Sequence, residues 1–491
     1  MSQTPGNKDI VLTYHEQTKH HFHRFAPSLG YLDWVHQPNP FRRYEGAQLI
    51  PLQKIPPTDQ PLYDNAFVPG SIPPAALNLH SISQLFCDSL AISAWKSTGD
   101  SSWALRVNPS SGNLHPTEGY LIAGPIQGLC DKPMVCHYAP KEHALERLAE
   151  FEPSLWKKLH ARFPQATFFM GLTSIHWREA WKYGQRAYRY CQHDAGHAIG
   201  AISIAGAALG WQTKILDDLS TDELALLMGT FREHGADPGE PGEGEEADVL
   251  LALCPFEDQI DETGLPQEAV KSFASLDWQG QANQLSTSHV DWGIQQIAQA
   301  ARKPRGSGHY QQPDSLPMHD ALEVRPISLR KIIRQRRSAV SMDAQTRISR
   351  DTFYRILQKT LPAPGTPAPG NIPFNTLPWK PHIHLAIFVH RVDDLPNGLY
   401  FLVRHPSQTS ELKTAITAAD MWQRPSACPE QLELYCLKEM DARNLARQIS
   451  CTQDIASDGC FSLGMIAEYQ NPLENFGPWF YPRLFWEAGM L

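Results

Sequence analysis

The chain has 491 residues, more than one hydrophobic core usually organises, so two domains are the starting expectation. Hydrophobic residues make up 42% and charged residues 19%, and 43 Lys+Arg against 52 Asp+Glu leave a net charge of −9. This mildly acidic balance gives no global electrostatic reason to bind nucleic acid or an anionic membrane.

The nine cysteines include no C-x-x-C pair, and several lie in apolar runs, which reads as reduced thiols in a cytoplasmic protein. The N-terminus has no apolar core of signal-peptide length, and the small-apolar stretch 198–211 is too short to span a bilayer. The expectation is a soluble protein.

Residues 1–75, rich in Pro, His and aromatics, read as an irregular N-terminal arm. In the first domain, 76–255, periodicity predicts a helix over 82–95 and short buried strands over 120–123 and 167–172. A long helix over about 177–210 follows, then an amphipathic helix over 219–228 and a buried strand over 247–254, the last preceded by a Gly/Pro/Glu loop. Residues 256–322 form a connecting segment with one amphipathic helix, carrying Val290, Ile294, Ile297, Ala298 and Ala301, with Ser286 or Ser288 as N-cap. The second domain, 323–491, has a basic helix over 329–337, another over 351–359, a Pro/Gly-rich loop over 361–373, and strands over 382–392 and 398–403. The order helix, Pro-rich loop, strand, strand, long helix occurs in both domains, which suggests duplication, with the second copy incomplete at its C-terminus.

The most informative string is LRVNPSSGNLHPTEGYLIAG, residues 105–124. Its turn, Pro109-Ser110-Ser111-Gly112-Asn113, presents backbone N–H groups, two hydroxyls and an amide in one short arc before a buried strand. Such an arc suits a planar heterocycle with several acceptors; the residues alone equally allow a plain loop of Asx-type turns. The string resembles the Pro-Ser-x-x-Asn-x-Gln-Pro signature of the nitroreductase superfamily, with His115 where many members have Gln. The resemblance extends to WKYGQRAYRYCQHDAGHAIGAISIAGAALG, residues 181–210, which looks like the interface helix of the SagB-type dehydrogenases related to azoline oxidases. It implies FMN as cofactor, with residues 109–113 meeting the flavin ring.

In the second domain, Arg336-Arg337-Ser338 matches the Arg-Arg-Ser signature that, in the family, grips the flavin phosphate and ribityl chain. Guanidinium groups suit phosphate because they stay charged and bind its oxygens bidentately; the residues alone also read as a solvated basic helix. Each domain carries half of the flavin signature, since the only Arg-Arg of the first half is Arg42-Arg43 in the arm and the second domain lacks the Pro-Ser-Ser-x-Asn turn. The resemblance further makes Lys182 and Tyr183 the catalytic candidates, a pair implicated in deprotonating substrate while hydride leaves; as plain residues they would cap or solvate a helix start. Arg189 and Arg186 are candidates for flavin or interface contacts. His193 and His197 have metal-pair spacing without a third ligand and read as interface residues. Gly196, Gly200, Gly206 and Gly210 fit a close helix–helix seam.

No G-x-G-x-x-G, Walker or G-x-S-x-G motif is present, which disfavours nucleotide-binding domains and hydrolase chemistry. The expected architecture is α+β: two tandem nitroreductase-like units, each a mainly antiparallel sheet flanked by helices, forming an internal pseudo-dimer. The implied function is an FMN oxidoreductase acting on a cyclic or peptide-derived substrate, with oxygen or NAD(P)H as electron partner. The alternatives are an NAD(P)H-fed nitro- or quinone-reductase and a non-catalytic scaffold of the same fold.

Overall fold

The chain is described by a computed structural model over residues 6–68, 70–233, 243–258, 260–310, 325–362, 371–417 and 420–491. Most of the Gly/Pro/Glu loop and of the Pro/Gly-rich loop therefore lie outside the described residues.

The arm is less irregular than its composition suggests. It begins with helix α1 (Asn7–Gln17) and holds strands β1 (Tyr44–Glu45) and β2 (Gln48–Pro51). Helix α2 (Leu79–Ser89) starts at Asn78, whose side chain accepts from the Ser81 N–H while the Ser81 hydroxyl takes the Asn78 N–H. The helix expected over 82–95 stops there: β3 (Ile92–Thr98) pairs with β4 (Ser101–Arg106) in a hairpin. The alternating Ile92-Ser-Ala-Trp-Lys-Ser-Thr run and Gly99 at φ +55° were the overlooked hairpin signals. Then come β5 (Thr117–Ala123), β6 (Met134–Ala139), β7 (Ala144–Glu150), α3 (Pro153–Leu159) and β8 (Phe168–Ser174). The expected long helix is two, α4 (His176–Tyr183) and α5 (Ala187–Ala207), separated by a short 3₁₀ turn. Gly184 makes the break at φ +54°, where a β-carbon would lie 2.7 Å from the Pro27 carbonyl oxygen. β9 (Trp211–Ile215), α6 (Thr221–Met228), β10 (Glu246–Pro255), α7 (Gln267–Lys271), β11 (Gln281–Ala282) and α8 (Ile294–Ala300) complete this half. Helix α8 is preceded by Gly293 at φ +69°, not by the expected serines; the Ser286 hydroxyl instead donates to the carbonyls of His36 and Ser288.

The main sheet has the order β2-β7-β6-β5-β8-β10-β9, antiparallel throughout. Strand alternation sorts its residues between two cores. Leu121 and Ala123 pack on the side of α2 and α5, and Tyr120 and Ile122 on the side of α6 and α7.

The second unit contains α9 (Leu329–Gln335), α10 (Arg350–Gln358), β12 (Ile383–Val389), β13 (Gly398–Leu402), α11 (Thr409–Ala415), β14 (Leu434–Glu439), α12 (Arg443–Ile449), α13 (Ile455–Asp458), β15 (Phe461–Ala467), α14 (Gln470–Asn475) and α15 (Tyr481–Met490). Its sheet order, β14-β13-β12-β15, repeats the β7-β6-β5-β8 order of the first unit, with α10 standing where α2 stands. This is the tandem duplication. β15 is an edge strand with Leu463, Met465 and Ile466 exposed, whereas β8 lies between β5 and β10.

The units join where α15 crosses α5. A β-carbon on Gly196 would meet the Trp486 carbonyl oxygen at 2.4 Å, and one on Gly489 the His193 carbonyl oxygen at 2.2 Å, so the crossing requires both glycines. Of the other small residues, Gly200 makes only ordinary contact with Met490, while Gly206 and Gly210 face Thr213 and the carbonyls of Ile72 and Pro73. Polar bonds pin α15 on several sides: Trp486 Nε1 donates to Gln192 (2.7 Å), Arg483 pairs with Asp217 (2.6 Å), and Glu487 pairs with Arg404 (2.5 Å). None of the nine cysteines forms a disulfide, and among the described residues no helix is long and apolar enough to cross a membrane.

Candidate functional site

The turn Pro109–Asn113 follows the β3–β4 hairpin and enters β5. Three successive features hold its backbone in left-handed conformations: Gly112 at φ +60°, Asn113 at +61° and His115 at +54°. Two of these are not glycine, so the surroundings must over-determine the shape. They do. The Ser110 hydroxyl accepts the His115 N–H at 2.8 Å, and the Asn113 amide donates to the Ala104 carbonyl at 3.0 Å. Asp194, from α5, accepts the Ser111 N–H and hydroxyl, both at 3.0 Å, and His197 Nδ1 donates to the Pro109 carbonyl at 3.1 Å.

Much of the polar arc that the sequence offered to a heterocycle is thus engaged within the protein. Ser110 and Ser111 are framework residues of the turn. Gly112 is where Lys182 and Tyr183 arrive, from the end of α4 and not from a helix start. A β-carbon at Gly112 would stand 2.7 Å from the Tyr183 hydroxyl and 3.0 Å from Lys182 Nζ. The Lys182 nitrogen lies 5.3 Å from the Tyr183 ring centre, and that ring packs on Tyr190 at 4.2 Å. Burial pushes the Tyr183 phenol well up from its ordinary value, so it is a neutral O–H donor across the physiological range.

Helix α4 is fixed to the turn by Arg178. Its buried guanidinium donates to the His115 carbonyl (2.7 Å), to the Asn39 carbonyl (3.1 Å) and to Glu118. Glu118 also takes a 3.1 Å contact from His137, which bridges to Glu146 at 2.9 Å. Burial opposes both charges, yet Arg178 and Arg106 hold Glu118 down to about 2, and the two carboxylates raise His137 to about 9.

From the second unit, α9 packs on α2 and β3, bringing its C-terminal arginines to the base of the same hairpin. Arg336 donates to the Val107 carbonyl at 3.4 Å, two residues before Pro109. Arg337 donates to the carbonyls of Arg334 and Arg336, and neither it nor Arg336 has a carboxylate partner among the described residues. Arg336, Arg337 and Ser338 are all solvent-exposed. Of the Arg-Arg-Ser signature, Arg336 thus reaches the first unit at Val107, two residues before the Pro-Ser-Ser-Gly-Asn turn. Arg42, by contrast, is buried against Glu245 and Glu233.

Arg189 is not placed with this cluster. It donates to Thr18 Oγ1 (2.7 Å) and the His15 carbonyl (2.5 Å), clamping the N-terminal arm beside Arg186, which donates to the Thr18 carbonyl. His193 packs edge-on against Phe485 at 5.0 Å, and among the described residues no cluster could hold a metal. Sequence reasoning missed Asp194, Arg178 and Glu179. Asp194 was visible, in QHDAGH, as an acid one turn before His197; nothing local marked the other two.

No protein-family model and no curated protein matches the chain. Among solved structures, a protein of Anabaena variabilis assigned as a nitroreductase superposes with a TM-score of 0.62 at 20% identity, over 98% of this chain and 89% of that one. The chain has a nitroreductase fold. Because the match runs through nearly all of both chains, the nitroreductase-like architecture spans both units. Two further structures align over about half the chain. The E. coli microcin synthetase complex has a TM-score of 0.29 at 17% identity (49% of this chain, 85% of that one), and a Ralstonia eutropha protein assigned as a nitroreductase has 0.31 at 16% (47% and 96%).

Proposed function

We propose that the protein is an FMN-dependent oxidoreductase of the nitroreductase superfamily, of the SagB-type dehydrogenase kind, acting on a cyclic or peptide-derived substrate. The observation that carries this reading is the convergence on residues 107–113. Lys182 and Tyr183 stand at Gly112 from the first unit, and Arg336 reaches Val107 from the second. The residues fit FMN: two guanidiniums without carboxylate partners among the described residues suit a terminal phosphate, and the braced turn offers a rigid edge for the ring. FMN, when bound, would supply the two-electron chemistry by exchanging hydride at N5. Arg336, Arg337 and Ser338 would hold the phosphate and ribityl chain, and Gly112 and Asn113 would lie against the ring. Lys182 and Tyr183 would manage the proton that accompanies the electron pair.

The neutral Tyr183 phenol favours a second reading of the same site. A protonated donor suits delivery of a proton to a substrate that is being reduced, which is the NAD(P)H-fed reductase direction. The two readings separate by experiment. Purified protein reconstituted with FMN should retain one FMN per chain, released as FMN on chromatography. Bleaching of its colour by NAD(P)H would select the reductase, and bleaching by heterocyclic peptide substrates the dehydrogenase. A protein that stays colourless after FMN is added, or that holds FAD, overturns the proposal and favours a non-catalytic scaffold.

A further inference from the structure

Glu179 lies three and four residues before Lys182 and Tyr183 on α4, and so shares their helix face. It is fully buried, and neither of its carboxyl oxygens has a hydrogen-bond partner among the described residues. This sets it apart from other buried acids in the chain. Glu118 has Arg178 and His137, Asp217 has Arg483 and Lys303, Glu487 has Arg404, and Asp194 has the Ser111 N–H and hydroxyl. A carboxylate with neither cation nor donor in contact carries an unrelieved desolvation cost, so the group stands as a neutral acid.

The titratable groups acting on it come from both packed helices. On α5, Asp194 adds negative charge and Cys191 is a buried neutral thiol. On α4, Lys182 is the opposing cation and Tyr183 the neighbouring phenol. Burial first, and Asp194 second, push Glu179 well above the usual carboxylate range, against the weaker pull of Lys182. A carboxylic acid here carries a proton one helical turn behind a hydroxyl that faces Gly112.

We propose that Glu179 is the proton-holding residue of the site, a positioning residue that recharges Tyr183. The inference rests on the reading of Lys182 and Tyr183 as the proton-handling pair. In the reductive direction the Tyr183 O–H breaks and its proton goes to the substrate atom that has received an electron pair from reduced flavin. The two groups share no direct hydrogen bond, so the phenolate takes the Glu179 proton through one intervening water, and the carboxylate is reprotonated from solvent along the same water path. Lys182 offsets the two transient anions in turn. In the oxidative direction each transfer runs backward, and the substrate proton leaves to solvent through Tyr183 and then Glu179.

The test uses the full-length protein and three variants, Glu179→Gln, Glu179→Asp and Tyr183→Phe. Infrared spectra at neutral pH should show the carbonyl stretch of an unbonded protonated carboxylic acid, lost in Glu179→Gln, whether or not the protein turns over. With FMN bound, Glu179→Gln should melt near wild type and keep KM, but lose about tenfold to a hundredfold in kcat, below the full range for a general acid. In the reductive direction it should also lose the fall in rate that wild type shows on the alkaline side, where Glu179 gives up its proton, and Glu179→Asp should restore part of the rate. Absence of the infrared band overturns the proposal, as does a Glu179→Gln enzyme with wild-type kcat and pH profile while Tyr183→Phe is impaired. Wild-type rates in Tyr183→Phe would instead sink the reading of the site, and the infrared band would still decide whether Glu179 holds a proton.

Discussion

Gly112→Ala isolates the contact on which the site depends. The substitution adds one carbon where φ is +60°, which costs a residue with a β-carbon roughly 1–2 kcal/mol in the left-handed region. Asn113 and His115 already tolerate that region in the same turn, so the backbone cost falls at the low end. The larger effect is contact. The new carbon would sit 2.7 Å from the Tyr183 hydroxyl, and restoring an ordinary separation near 3.5 Å displaces that oxygen by roughly 0.8 Å. Lys182 can swing aside on its flexible stem, but the Tyr183 ring is confined by Tyr190 at 4.2 Å. A displacement approaching 1 Å at a reacting group costs up to about a hundredfold in rate. The assay is a double-mutant cycle: urea denaturation of wild type, Gly112→Ala, Tyr183→Phe and the double variant, with turnover measured beside it. Removing the hydroxyl should relieve the clash, so Gly112→Ala should cost about 1 kcal/mol less in the Tyr183→Phe background. Equal costs in the two backgrounds would refute the reasoning, because they would mean that Tyr183 does not press on the turn.

Three further outcomes follow from the geometry. Asp194→Ala removes the acceptor of the Ser111 N–H and hydroxyl and should cost about 1–3 kcal/mol in a denaturant melt while lowering FMN affinity. Arg483→Ala leaves Asp217 buried with Lys303 and Tyr310 as its remaining side-chain partners among the described residues, so a loss of about 3–5 kcal/mol is expected by calorimetry, with weakened docking of α15. His137 is raised to about 9, so the stability tied to its charge is complete below its unfolded value near 6.5 and is lost as pH rises through about 9. Melting temperature should fall across that window in wild type and more shallowly in His137→Gln.

The strands and amphipathic helices were legible because burial imposes a period: β5, β8, β10, β12 and β13 all fall on apolar runs. Failures came where one residue overrides a period. Gly184 breaks a helix whose apolar pattern continues on both sides, and the β3–β4 hairpin carries exposed residues that mimic a helix continuation. β2 is short and lies at a sheet edge, which leaves almost no pattern to read. In the candidate site, Gly112, Lys182, Tyr183, Arg336 and Arg337 were visible because they lie in strings that resemble the family signatures. Ser110 and Ser111 were visible too, but their engagement inside the turn was not: that of Ser111 depends on Asp194, 83 residues away, and that of Ser110 on the left-handed backbone that brings it the His115 N–H. Glu179 was invisible for the opposite reason: what sets it apart is the partners it lacks, and no string records that.

The site and the junction of the units share one helix, and this bears on why the fold needs two copies. Within two turns of α5, Asp194 and His197 face the turn at Ser111 and Pro109, while Gln192 and Gly196 face Trp486 of α15. These residues interleave, so α5 cannot rotate to follow the turn without breaking the bond from Trp486 or parting the Gly196–Gly489 crossing. α15 is in turn fixed to both units, to the first by Arg483–Asp217 and to its own sheet by Glu487, which pairs with Arg404 and accepts the His382 N–H. The second unit therefore acts on the turn twice. It presents Arg336 directly at Val107, and through α15 it immobilises the helix that holds the turn's left-handed backbone. A lone first unit would keep the Pro-Ser-Ser-Gly-Asn sequence but lose the external constraint that makes its strained conformation the stable one.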